Sequence, residues 1–146
     1  VNLRIFAIAD SKRVTLNKQG VSKNWKENLL SESISRNPIN SIVSYARINE
    51  LQNLIAVDNT ASEDFVSNYF PLIEAGFNLV SCNKIANTLS FDFYKKIRKK
   101  LNKYGKTYLY ETNVGAGLPI IDNIRLLHES GENITKIKER IWGIKM

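Results

Sequence analysis

The lysine of the stretch Leu79-Val-Ser-Cys-Asn-Lys84-Ile-Ala-Asn87 is the side chain best placed for chemistry, because an apolar run ends in Asn83-Lys84 directly before a helical segment. In α/β sheets, ligands sit at the carboxyl ends of the strands. An ammonium at such an edge can stabilise developing negative charge and relay a proton. A second stretch of this kind, Tyr108-Leu-Tyr-Glu-Thr-Asn-Val-Gly-Ala-Gly-Leu-Pro-Ile120, reads as strand, small-residue turn and helix start. A turn built of Gly and Ala lets backbone groups approach a ligand that larger side chains would block.

A third polar turn, Asp10-Ser-Lys-Arg13, follows the opening apolar run. If that run is a strand of a dinucleotide-binding sheet, its end meets the adenosine ribose. An acidic residue there takes the 2′-hydroxyl, whereas Ser, Lys and Arg suit a 2′-phosphate. Both kinds of residue are present, and an ordinary polar turn fits equally well. Gly115-Ala-Gly117 mimics the first part of a G-x-G-x-x-G fingerprint. However, Ile120 stands at the third glycine position, Pro119 stands where helix amides are wanted, and the turn follows a late strand whereas the fingerprint belongs to the first βα turn.

The elements that must carry these loops are legible as an alternation. Leu3–Ala9 is an apolar run of strand length, as expected for a strand covered on both faces. A short helix is expected over Ser22–Leu30. Asn37-Pro38 then opens a helix with a cap and a proline at its first position, followed by Ile39, Ile42, Val43 and Ala46 on one face. Leu54–Val57 reads as a buried strand, and Ser62 as the cap of a helix that Pro71 interrupts and Gly76 stops. Phe77–Ser81 is the next strand. Thr88 and Ser90 offer capping chemistry for a helix whose stripe is Phe91, Tyr94, Ile97 and Leu101, and Gly105 ends it. Thr107–Tyr110 is the last strand, before a helix carrying Ile120, Ile121, Ile124 and Leu127 that stops at Gly131. The order predicts an α/β fold with a partial Rossmann-like parallel sheet and helices on both faces.

Composition narrows the partners. A chain of 146 residues suits one domain with its own core. The net charge is +7, but its basic residues are dispersed or lie on one helix face at Lys95–Lys103, and no aromatic-interleaved pattern accompanies them, so no nucleic-acid partner is expected. Cys82 is the single cysteine, which excludes an internal disulfide and suits a reducing, cytoplasmic compartment. One Cys and one His do not make a zinc site. No apolar run approaches the length of a membrane span, so no membrane partner is expected.

Together, Tyr110-Glu-Thr-Asn-Val-Gly-Ala-Gly-Leu-Pro119, Asn83-Lys-Ile-Ala-Asn87 and Asp58-Asn-Thr-Ala-Ser62 give the sequence a resemblance to homoserine dehydrogenase. It is most similar to the dehydrogenase part of the bifunctional aspartokinase/homoserine dehydrogenases, over roughly residues 1–137. The resemblance implies reduction of L-aspartate 4-semialdehyde to L-homoserine with NADPH or NADH, on the route to threonine, methionine and isoleucine, by a homo-oligomeric parent enzyme. It implies Lys84 as the catalytic lysine. It places Ala9, Ser11, Lys12, Arg13, Thr60, Asn83 and Lys84 along the cofactor. It also makes the main-chain oxygens of Glu111, Val114, Ala116 and Leu118 ligands of a monovalent cation, sodium, that orients the loop.

Residues 1–138 are accordingly expected to form a partial NAD(P)-binding domain and 139–146 a divergent tail. The sequence opens at what resembles the family's second strand, without the first strand and its Gly-rich phosphate turn. The alternative reading is a catalytically inactive α/β module that acts only as an interaction partner or is a degenerate gene product.

Overall fold

The structure is a computed structural model that describes residues 2–138; the expected tail at 139–146 lies outside the described residues. Its centre is a parallel sheet of three strands in the order β3-β4-β5. These are β3 (Ile55–Asp58), β4 (Asn78–Ser81) and β5 (Tyr108–Leu109). In the register, Asp58 stands beside Ser81, and Leu79 beside Tyr108. Successive side chains alternate between faces, so Asp58, Leu79, Ser81 and Tyr108 all point into the core, where each is buried.

The helices that cover this face begin and end where local chemistry dictates. Asn37 caps α2 (Pro38–Ile48) through the Asn40 amide at 3.0 Å. Ser62 caps α3 (Glu63–Val66) through the Phe65 amide at 3.2 Å, and Ser90 caps α6 (Phe91–Tyr104) through the Phe93 amide at 3.2 Å. Pro71 interrupts the helical run as expected. α3 ends at Val66 and α4 (Tyr69–Glu74) restarts with Pro71 in its first turn, where a missing N–H costs nothing. Gly76, Gly105 and Gly131 follow α4, α6 and α7 (Ile120–Glu129) at positive φ, where left-handed backbone stops a helix. Val66, Tyr69, Leu72 and Ile73 meet Ile97 and Leu101 over the sheet in one hydrophobic core. Lys100 pairs with Glu74 across α4 and α6.

Several expectations are corrected. The opening run is a strand only at β1 (Ala7–Ala9), and it pairs antiparallel with β2 (Val14–Leu16), a strand not expected. None of its three residues is buried, and Leu3 and Ile5 before it are exposed, so the run is not covered on both faces. The hairpin forms its own two-stranded sheet, joined to the core by Phe6 packing on Tyr45 of α2 and on Phe77. α1 (Trp25–Ser31) and α2 pack beside this hairpin. The α/β class and the parallel sheet are as expected. The helices cover one face of that sheet, while Ile55, Val57 and Leu109 on the other are 46%, 62% and 49% exposed.

The stripe of α6 is also rotated from the expected one. Ile97 and Leu101 are buried and Phe93 packs against the core, but Phe91 and Tyr94 stack on each other at the surface. Arg98 and Lys95 lie over their rings, which keeps the aromatic faces partly out of water. Thr88 caps no helix. It ends the short helix α5 (Ile85–Thr88) and donates back to the carbonyls of Lys84 and Ile85.

Candidate functional site

Three loops leave the carboxyl ends of β3, β4 and β5, and one buried polar cluster ties them together. The Asp58 carboxylate accepts from the Thr60 amide at 2.8 Å, from the Tyr69 hydroxyl at 2.6 Å and from the Asn83 side-chain amide at 3.2 Å. Tyr69 has a single hydroxyl proton, and a carboxylate can only accept, so that proton goes to Asp58. The Ser81 hydroxyl, 2.7 Å from the Tyr69 oxygen, therefore donates to it, and itself accepts from the Asn83 backbone N–H at 2.9 Å. The result is a directed chain of hydrogen bonds from Asn83 through Ser81 and Tyr69 to Asp58. Chains of this kind polarise each member and strengthen in a low-dielectric interior. Burial and the bond to Asp58 push the Tyr69 hydroxyl far above the ordinary tyrosine range, so it is a neutral donor throughout the physiological window.

Asn83 is the hub. It is 2% exposed. Its amide nitrogen reaches Asp58, the Thr60 hydroxyl at 3.4 Å and the Ser62 carbonyl at 3.1 Å, and its Oδ1 accepts from the Ile85 amide at 3.1 Å. That pattern fixes which end of the amide is which, since Ile85 needs an acceptor and Ser62 a donor. Its carbonyl accepts from the Asn113 side chain at 3.3 Å, which brings in the loop after β5. The side chain expected along the cofactor therefore faces inward and is fully engaged. The signal was present in the period of two, because Leu79, Ser81 and Asn83 share one face of the extended chain.

Lys84 lies at the surface, at the N-terminal end of α5, directly after this buried anchor. Thr60 lies on the neighbouring loop, in the same cluster. On the segments after β4 and β5, the side-chain oxygens of Asn87 and Asn113 are buried, and neither has a hydrogen-bond partner. Asn87 donates to the Tyr108 hydroxyl at 3.3 Å, and burial raises the pKa of that phenol too. Arg98 of α6 donates to the Tyr110 hydroxyl at 2.6 Å and lies over its ring, bracing the third loop from outside.

The third loop is shaped by its own contacts. The Glu111 carboxylate accepts from the Ile121 and Asp122 amides at 2.9 and 3.0 Å, capping α7 with both oxygens. A β-carbon on Gly115 would fall 2.2 Å from Cδ1 of Ile120, and its φ is +70°, whereas Gly117 has nothing within 4 Å of such a carbon. Gly115 thus suits a left-handed backbone position where any β-carbon would also force the Ile120 side chain to move. The carbonyls of Glu111 and Leu118 each already accept one backbone N–H, from Val114 and Ile120. A carbonyl oxygen has a second lone pair, so a hard cation remains compatible with them. Among the described residues there is no cluster of His, Cys, Asp and Glu able to hold a metal.

The hairpin end of the expected site stands apart. Ala9, Ser11, Lys12 and Arg13 sit at the β1–β2 turn, and no hydrogen bond among the described residues joins them to the other three loops. Asp10 accepts from the Lys12 and Arg13 amides at 2.7 and 2.6 Å, which holds its carboxyl below the usual range, and the Arg13 guanidinium lies 4.0 Å away. The acid is thus partly neutralised by the turn that carries the basic residues. No helix among the described residues is long and apolar enough to cross a membrane.

The chain is similar to known proteins in sequence and in fold. Residues 1–111 match the model of the homoserine dehydrogenase NAD-binding domain. A bifunctional aspartokinase/homoserine dehydrogenase of Buchnera aphidicola is 39% identical over 145 residues, covering 98% of this chain and 18% of that protein. A crystal structure of a Candida auris protein of unknown function superposes with a TM-score of 0.73 at 28% identity, over 88% of this chain and 36% of that one. For a homoserine dehydrogenase of Thermoplasma acidophilum the TM-score is 0.60 at 20% identity, over 84% and 38%, a likeness of fold. The chain spans less than a fifth of the length of the Buchnera relative.

Proposed function

Since the chain belongs to the homoserine dehydrogenase family through that family's NAD-binding domain, we propose that it forms the cofactor-binding part of an enzyme that reduces L-aspartate 4-semialdehyde to L-homoserine. The observation that carries this reading is the convergence of the loops after β3, β4 and β5 on one cluster, with Lys84 exposed at its rim. The nicotinamide cofactor would supply the hydride. The chain's own part is to bind, orient and manage a proton.

Thr60 and Lys84 would line the nicotinamide end, and the unpartnered oxygens of Asn87 and Asn113 are acceptors that a ligand donor could complete. Lys84 would stabilise negative charge on the carbonyl oxygen as it becomes an alkoxide, and pass a proton to it. Ser11, Lys12 and Arg13 would hold a 2′-phosphate, which favours NADPH over NADH, with Asp10 occupied by its own turn. The main-chain oxygens of Glu111, Val114, Ala116 and Leu118 would hold a sodium ion. Glu111 suits that role because its carboxylate is committed to α7 while its carbonyl keeps a free lone pair. Residues 1–138 would act as one NAD(P)-binding segment, within a homo-oligomeric cytoplasmic parent.

A chimaera that joins this chain to the remaining segments of a full-length relative tests the reading. It should consume NADPH only when L-aspartate 4-semialdehyde is supplied, and yield homoserine. Failure to oxidise NADPH with that aldehyde, in a chimaera that folds and binds the cofactor, would rule the assignment out.

A further inference from the structure

We infer that Asn83 is a positioning residue that aims Lys84, by locking the three loops at the carboxyl end of the parallel sheet to one another from beneath. The inference rests on the reading of Lys84 given above. Its own basis is geometric. The Asn83 side chain holds the loop after β3 through Asp58, Thr60 and Ser62, and holds the first turn of α5 through the Ile85 amide. Its backbone holds β4 through Ser81 and the loop after β5 through Asn113. Lys84 follows this anchor by one peptide bond, so the path of its backbone is set on both sides, at Asn83 and at Ile85.

Asp58 and Tyr69 belong to the same device. Tyr69 is 1% exposed and donates its only hydroxyl proton to Asp58. Asp58 takes part in no salt bridge among the described residues and is instead met by neutral donors from Thr60, Tyr69 and Asn83. A buried carboxylate satisfied by dipoles alone demands that those dipoles stay in place, because losing one leaves charge unpaired in the interior. Loop order is thereby coupled to a single anion. The titratable groups facing this spot are Asp58 from β3, Tyr69 from α4 and Tyr108 from β5, with Cys82 and Lys84 on either side of Asn83.

Asn83→Asp, made in the full chain, tests the device by placing a second carboxylate against Asp58. Two such groups share a proton at low pH and repel once both ionise. At about pH 8 the amides of Asn83 and Ile85 should lose protection from hydrogen exchange by roughly ten-fold, and regain it at about pH 5. The wild-type protection factors should stay level across that range. NADPH affinity of the folded variant should fall about ten-fold at the higher pH only, as expected when a ligand needs an ordered loop. Unchanged protection at both values, or protection lost uniformly with the melting transition while the folded fraction binds NADPH as before, would overturn the positioning role. Tyr69→Phe supplies the same reading if Asn83→Asp does not fold. It removes the hydroxyl and keeps the ring, so faster exchange at Thr60 and Asn83 supports the device and unaltered exchange refutes it. A wild-type chain that shows no NADPH response would remove the cofactor reading alone, since the exchange measurement decides the bracing of the loops by itself.

Discussion

The lysine at position 84 and the asparagine before it divide their work by direction: one faces solvent, the other faces the core. In the chimaera described above, Lys84→Ala should lower kcat by about 10²–10⁴-fold, the range for a lost acid–base group, with fold and NADPH affinity retained. Arginine should restore little, because its guanidinium is wide and does not release its proton. Steady-state kinetics beside a melting curve check this, and near-parental kcat in Lys84→Ala would sink it. Tyr69 and Tyr108 give a second test in the chain itself. Both phenols are raised in the folded state by burial, so their contribution to stability is fully present below the unfolded pKa of about 10 and is lost as pH rises beyond it. Resistance to urea should therefore fall from about pH 10 upward, and Tyr69→Phe should flatten that decline. The exposed position of Lys84 at a strand end could be read from the sequence, because an unpaired ammonium stays in water. The inward position of Asn83 could not, since its polarity says nothing about which way it points, and only its phase with Leu79 and Ser81 hints at the core.

At the scale of the element, what was legible was local. Asn37, Ser62 and Ser90 cap helices, and Gly76, Gly105 and Gly131 stop them, because each acts within a turn of its own position. What was missed depended on distant partners. β2 is three residues between polar neighbours and exists by pairing with β1, and the surface position of Phe91 follows from where α6 meets α4. The small-residue turn before α7 carries its own prediction. Gly115→Ala should destabilise the chain by about 1–3 kcal/mol, combining left-handed strain with overpacking against Ile120. Gly117→Ala, with open space around it, should stay within about 0.5 kcal/mol. Equal effects in chemical denaturation would contradict the crowding at Ile120.

For the whole molecule, the residues proposed to set cofactor choice stand apart from the three converging loops. The 146 residues contain no G-x-G-x-x-G turn, and pyrophosphate binding normally relies on such a turn and the helix it opens. The 146-residue polypeptide should bind NADPH more weakly than micromolar, as calorimetry can establish. In the active chimaera, replacing Lys12 and Arg13 by Ala should raise the KM for NADPH more than that for NADH, and an equal rise would remove them from the 2′-phosphate site.

The one-sided cover of the central sheet has a calorimetric consequence. Ile55, Val57 and Leu109 are already about half in contact with water in the folded state, so melting newly hydrates only the remainder of each. The heat-capacity increment of unfolding tracks apolar area newly exposed, so it should fall below the usual ~12–15 cal/mol/K per residue. A small increment straightens the curve of free energy against temperature. Scanning calorimetry at several pH values should give a shallow slope of unfolding enthalpy against melting temperature, and a protein whose stability changes little on cooling from its optimum.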